Sequence, residues 1–188
     1  VNKYTGVEEP CSAPGNSAWV DKEPYVPVAQ RDEYKKNYMA EFYFFEHSTG
    51  HNGYDITNKQ ADKTKEVDVL DFKTEDAFAE GIKEGFPPNY FQAVFTGQFE
   101  IRQPGEYTFM TTSDDGSRVY INKGLVVDNW GLHGPREKTG KVFLKEGLHD
   151  VRINFYENAG GAYLTFKYNG PDTNGQSKLV EGWHLEEL

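Results

Sequence analysis

Residues 91–101 carry the pattern that most limits this chain's fold. Phe91, Ala93, Phe95, Gly97, Phe99 and Ile101 share one parity. Successive side chains of an extended chain point to opposite faces, so this run lines one face of a strand or strand pair. The pattern returns twice. Val151, Ile153 and Phe155 alternate with Arg152, Asn154 and Tyr156, and Ala162, Leu164, Phe166 and Tyr168 alternate with Tyr163, Thr165 and Lys167. Shorter versions occur at Tyr107 and Phe109, Val119 and Ile121, and Val142 and Leu144. Turn signals separate them: Pro104-Gly105, Asn122-Lys123-Gly124 and Lys145-Glu146-Gly147. Regular short strands at this spacing predict an all-β protein, an antiparallel β-sandwich whose core comes mostly from 91–168. Aromatic residues make up 15% of the chain, which supplies the large side chains such a core needs.

Upstream, the globular part is expected to open at Tyr38, with a first strand over Ala40–Phe45. The polar stretch 47–62 reads as loop. Val67, Val69, Leu70 and Phe72 indicate a short strand. Thr74-Glu75-Asp76 then starts one short helix, a hydroxyl cap followed by acids. Phe78 and Ile82 share a face of it, Gly85 is its stop, and Pro87-Pro88 forbids continuation. Residues 1–37 differ: four prolines (Pro10, Pro14, Pro24, Pro27), scattered charge and little periodicity predict an extended N-terminal arm. Trp19, Tyr25, Val26 and Val28 are its candidate anchors. The expected division is therefore an arm, 1–37, and one domain, 38–188.

A formal net charge of −10 over 188 residues argues against nucleic acid and anionic membrane as partners. No apolar run approaches the roughly 20 residues a membrane helix needs, so no transmembrane segment is expected. The single cysteine, Cys11, allows no internal disulfide. The chain opens on Val1 without a charged-then-apolar leader, which points to a processed product or a fragment.

The run Thr112-Ser113-Asp114-Asp115-Gly116-Ser117-Arg118 sets two adjacent carboxylates between two expected strands. Adjacent acids repel unless a cation, backbone N–H donors or open water compensates them. A solvated Asp-Gly turn is one reading, and Arg118 could neutralise it without metal. A cation is the other. An EF-hand is excluded, because no third acidic ligand or distal Glu follows at its spacing. Trp130 and His133 lie in Asn129-Trp130-Gly131-Leu132-His133-Gly134-Pro135. An exposed indole would stack on a sugar ring, whereas a packed one would only close the loop. His47 and His51 have no accompanying zinc pattern. No nucleophile elbow, P-loop or dinucleotide fingerprint occurs, and no catalytic residue is assigned.

The acidic loop, the segment Val126-Val127-Asp128-Asn129-Trp130-Gly131 and the segment Glu157-Asn158-Ala159-Gly160-Gly161 together resemble the PA-14 family. This β-sandwich module is named after the anthrax toxin protective antigen. It also occurs in yeast and bacterial adhesins and inserted in glycosidases. The resemblance covers roughly 38–188 and is strongest over 93–168. In lectin-type members the matching acidic pair is joined by a cis peptide and binds Ca2+, which helps hold sugar hydroxyls. The resemblance implies a metal set of Asp114, Asp115, Glu157, Asn158 and Gly160. It implies glycan contacts from Asp114, Asp115, Trp130, His133 and Asn158. The Glu157 loop is closer to the glycosidase-inserted members, and the disulfides of the yeast adhesins are missing. The expected function is a non-catalytic, lectin-like carbohydrate-binding module, Ca2+-assisted, of a secreted or cell-surface protein that meets a glycan or glycoprotein. The alternative is a structural or protein-interaction module that docks on a protein partner through residues 1–37.

Overall fold

The period-two segments become the long strands. The computed structural model describes residues 26–82 and 85–186. In chain order the elements are β1 (Tyr34–Lys35), β2 (Tyr38–Phe44), β3 (Lys63–Val67), β4 (Asp71–Phe72), α1 (Glu75–Ile82), β5 (Phe91–Ile101) and β6 (Gly105–Asp114). They continue as β7 (Ser117–Ile121), β8 (Gly124–Asn129), β9 (Arg136–Leu144), β10 (Gly147–Glu157), β11 (Tyr163–Asn169), β12 (Lys178–Leu179) and β13 (His184–Leu185).

Two antiparallel sheets face one another. The first is six-stranded, in the order β3-β2-β5-β10-β7-β8. The second is five-stranded, β12-β11-β6-β9 with β4 also on β11. The register between β5 and β10 pairs Phe95 with Ile153 and Phe91 with Glu157. The shared parity of Phe91, Ala93, Phe95, Phe99 and Ile101 is the inward face, and each is buried. Phe109 of the second sheet meets Phe99 edge-on at 5.3 Å. Phe78 of α1 adds to this core, stacking on Phe72 at 4.3 Å and on Phe155 at 5.1 Å. The helix starts as its sequence predicts: the Thr74 hydroxyl oxygen accepts the Ala77 N–H at 3.1 Å. Fully burying one such ring contributes about 1.5–3 kcal/mol. At the seam between the sheets, β9 touches β8 so closely that a Cβ on Gly140 would lie 1.7 Å from the Val126 carbonyl oxygen.

Residues 26–37, expected in the arm, lie against the body. Val28 is buried and its N–H donates to Glu100 Oε1 at 2.7 Å. β1 pairs with β13, matching Tyr34 to Leu185 and Lys35 to His184. The C-terminal segment returns to the same place: Trp183 and Gln98 exchange both backbone hydrogen bonds, and the Tyr38 hydroxyl donates to Val180 O. Gln98 and Glu100 sit at the end of β5 away from Phe91. The chain thus approaches and leaves at the pole opposite the Asp114–Gly116 turn. Cys11, Trp19 and Tyr25 lie outside the described residues. Among the described residues no helix is long and apolar enough to cross a membrane.

Candidate metal centre

Asp114 ends β6, and the turn Asp115-Gly116 leads into β7. The Asp114–Asp115 peptide bond is cis. The end of β10 is pinned beside this turn by the Tyr156 N–H, which donates to Gly116 O at 3.0 Å. Gly116 must be glycine there, since a Cβ would lie 2.3 Å from the Tyr156 ring. Glu157 therefore arrives directly at the acidic pair.

Carboxylate oxygens of Asp114, Asp115 and Glu157 lie within 4.8 Å of one another. Asp115 is buried, and its oxygens are both engaged by backbone. Oδ1 accepts the His133 N–H at 3.0 Å and Oδ2 accepts the Asn158 N–H at 2.9 Å. Glu157 is 0% exposed, and neither of its carboxylate oxygens has a hydrogen-bond partner among the described residues. Burial, then the charges of Asp115 and Asp114, push its carboxyl from 4.5 up to about 9. Burial and Asp115 likewise raise Asp114 from 3.8 to about 6, with His133 opposing. An unpartnered buried carboxylate is costly. Two chemistries resolve it: a proton kept on Glu157, or a cation that takes oxygen ligands.

The other residues singled out from the sequence surround this centre in different roles. The Asn158 side-chain oxygen accepts from the Ser48 hydroxyl at 2.7 Å and from the Thr49 N–H at 3.0 Å. Gly160, at φ +115°, donates its N–H to Asn89 Oδ1. The His133 ring nitrogens contact Asn129 O and Gly134 O, so only its backbone reaches the centre. Trp130 is half-buried. Its Nε1–H donates to Asn52 O at 3.1 Å, Tyr156 packs on it at 4.6 Å, and Gly53 lies against its ring. Arg118 does not neutralise the acidic pair. Its guanidinium stacks over Trp130 at 4.7 Å and pairs with Asp128 at 3.0 Å.

Asp114 also faces a cleft of about 350 Å³, walled by Thr74 and Glu75 at the start of α1, by Pro135, and by Ala162 and Tyr163. Two features escaped the sequence reading. The loop His47–Gly53, read as plain connection, grips the centre from outside. The burial of Glu157 did carry a signal, since it continues the inward parity of Val151, Ile153 and Phe155.

Comparison with known proteins places the fold. Over 104 residues the chain is 32% identical to anti-sigma-I factor RsgI3 of Acetivibrio thermocellus, covering 54% of this chain and 16% of that protein. The chain thus spans a small part of that curated relative. Among solved structures, the PA14 domain of the MpAFP antifreeze protein superposes with a TM-score of 0.67 at 14% identity, covering 87% of this chain and 96% of that one. The PA14 sugar-binding domain from an RTX adhesin gives 0.63 at 21% identity, covering 79% and 98%. At these identities the two structures speak to the fold alone. The family model described as "PA14 domain" matches residues 43–182, and the chain belongs to that family.

Proposed function

We propose that this domain is a non-catalytic glycan-binding module, Ca2+-assisted, that works at the cell surface or after secretion. One observation carries the metal side: Glu157 is fully buried with both oxygens unpartnered, against two further carboxylates. An all-oxygen donor set of this kind suits Ca2+. Asp114, Asp115 and Glu157 would hold it, with carbonyl oxygens of 158–160 within the same loop. When bound, the ion supplies a centre for sugar hydroxyls. The chain's own residues do the rest. Asp114, half-buried on the cleft, accepts hydrogen bonds from hydroxyl donors, while Tyr163 and Pro135 give apolar walls to a ring. With Trp130 committed to packing, Tyr163 is the better placed aromatic. The match to a domain described as sugar-binding supports the glycan side.

Calorimetric titration with Ca2+, followed by a glycan array with and without chelator, tests this. Ca2+ at a hundredfold excess over its Kd should add about 2.7 kcal/mol of stability. Asp115→Asn should remove most of that gain. No heat and an unchanged unfolding curve would remove the metal, and an empty array with Ca2+ present would remove the glycan.

The likeness to an anti-sigma factor favours a second reading, in which the module is the ligand-sensing part of a larger regulatory protein. A protein partner docked through residues 1–37 belongs with that reading. It predicts that deleting residues 1–25, which spares the packed segment 26–37, abolishes a protein complex while leaving the Ca2+ heat intact.

A further inference from the structure

We infer that Asn158 acts as a positioning residue rather than as a metal ligand. Its side chain latches the loop His47–Gly53 to the Asp115 carboxylate, so that loading the metal centre sets the order of that loop. This rests on the reading that a cation occupies the three carboxylates.

An amide oxygen has two lone-pair sites. In Asn158 both are filled, one by the Ser48 hydroxyl and one by the Thr49 N–H. None is left for a cation. The backbone N–H of the same residue donates to Asp115 Oδ2. Asn158 therefore ties the loop to the acidic centre through one peptide unit and one side chain. A second tie reaches the loop from the other side of Asp115. Oδ1 accepts the His133 N–H, the adjacent Leu132 N–H donates to His51 Nδ1 at 3.3 Å, and the Trp130 indole N–H donates to Asn52 O. Asp115 is the hub of both ties. Without a cation, its charge is opposed by that of the adjacent Asp114. With one, the repulsion is removed and the carboxylate is fixed as acceptor for both N–H donors. The loop is thereby drawn into place beside the centre, with His47, Ser48, His51 and Asn52 exposed on it.

Hydrogen–deuterium exchange of the whole chain, in Ca2+ and in chelator, tests this together with calorimetry. In the wild type, peptides covering 47–54 should exchange about tenfold more slowly in Ca2+, as expected when local opening is suppressed. In Asn158→Ala the Ca2+ heat should persist, with Kd weakened by no more than the roughly 10–100-fold that losing a residue orienting a ligand costs. The Ca2+-dependent protection of 47–54 should be lost in the same variant. Ser48→Ala, which removes one of the two bonds and leaves Asn158 in place, should keep the heat and lose part of the protection. Loss of the Ca2+ heat in Asn158→Ala would make Asn158 a ligand and overturn the inference. Undiminished protection of 47–54 in both variants would overturn it as well. A wild type with neither heat nor Ca2+-dependent protection would fail at the metal itself, a distinct result that removes the reading and the inference together.

Discussion

Glu157 should make the metal-free domain lose stability as pH rises through neutrality. Its carboxyl is pushed from 4.5 up to about 9 in the folded state, chiefly by burial and then by Asp115 and Asp114. Between those two values the folded chain holds a proton that the unfolded chain has released. The proton-linkage slope is then negative: stability is full below the unfolded value and is lost as pH rises toward the folded one. One proton of difference corresponds to about 1.4 kcal/mol per pH unit. Asp114, raised to about 6, adds its own loss only below that pH. Tyr54 and Tyr156, pushed up to about 12 mainly by burial, titrate above the window. From pH 6.5 to 8.5 the slope is therefore that of one proton, a loss of about 2.7 kcal/mol. Urea unfolding in chelator at pH 6.5, 7.5 and 8.5 measures it. Glu157→Gln should flatten the profile, because an amide has no proton to lose. Saturating Ca2+ should also flatten it, since the ion takes the place of the proton. Ca2+ affinity should then rise with pH across the same range. A level profile in the chelated wild type, or a slope that survives in Glu157→Gln, would refute the reasoning.

Other substitutions probe the frame. Phe78→Ala should cost about 3–5 kcal/mol in chemical denaturation, because the ring sits between Phe72 and Phe155. Gly140→Ala forces a Cβ into the Val126 carbonyl and should cost about 3 kcal/mol, read as a lowered Tm. Lys123 stands at φ +71° in the β7–β8 turn, next to Asn122 at φ +48°. Lys123→Gly should therefore stabilise the domain by about 0.5–1 kcal/mol, measured by the denaturation midpoint at constant slope.

The sandwich was legible because its core strands announce themselves locally. A parity of Phe, Val and Ile along 91–101 and 151–155 leaves few other folds. The Thr74 cap and the Asn122-Lys123 turn were equally local. What was not legible depends on partners far along the chain. Whether Trp130 is a platform or a packing residue is decided by Gly53 and Asn52, the latter 78 positions away. The direction of the Asn158 amide is decided by Ser48, 110 positions away. The stretch 26–37 lacks periodicity, and its contacts with Glu100 and with 184–186 carry no signature in its own composition. The acidic pair was visible as two adjacent letters. The third carboxylate, Glu157, was named by the family resemblance, and its burial follows from the inward parity of β10 carried to its last residue.

The pairing of β1 with β13 has a mechanical consequence. Tyr34, on the incoming side, faces Leu185 on the outgoing side, and Lys35 faces His184. Tension on the incoming side is taken first by the buried Val28, held by Glu100, and then meets the outgoing side at the Tyr34–Leu185 rung. The interstrand hydrogen bonds run across the strands. They therefore yield one after another, as a zipper opens, rather than together in shear. Once the Val28 anchor yields, the two-residue clip opens, and the Gln98–Trp183 rungs take the load behind it. The turn at Asp114–Gly116 lies at the far pole, off that line of force. Force applied at that pole would lengthen the base of the domain while the acidic end kept its shape.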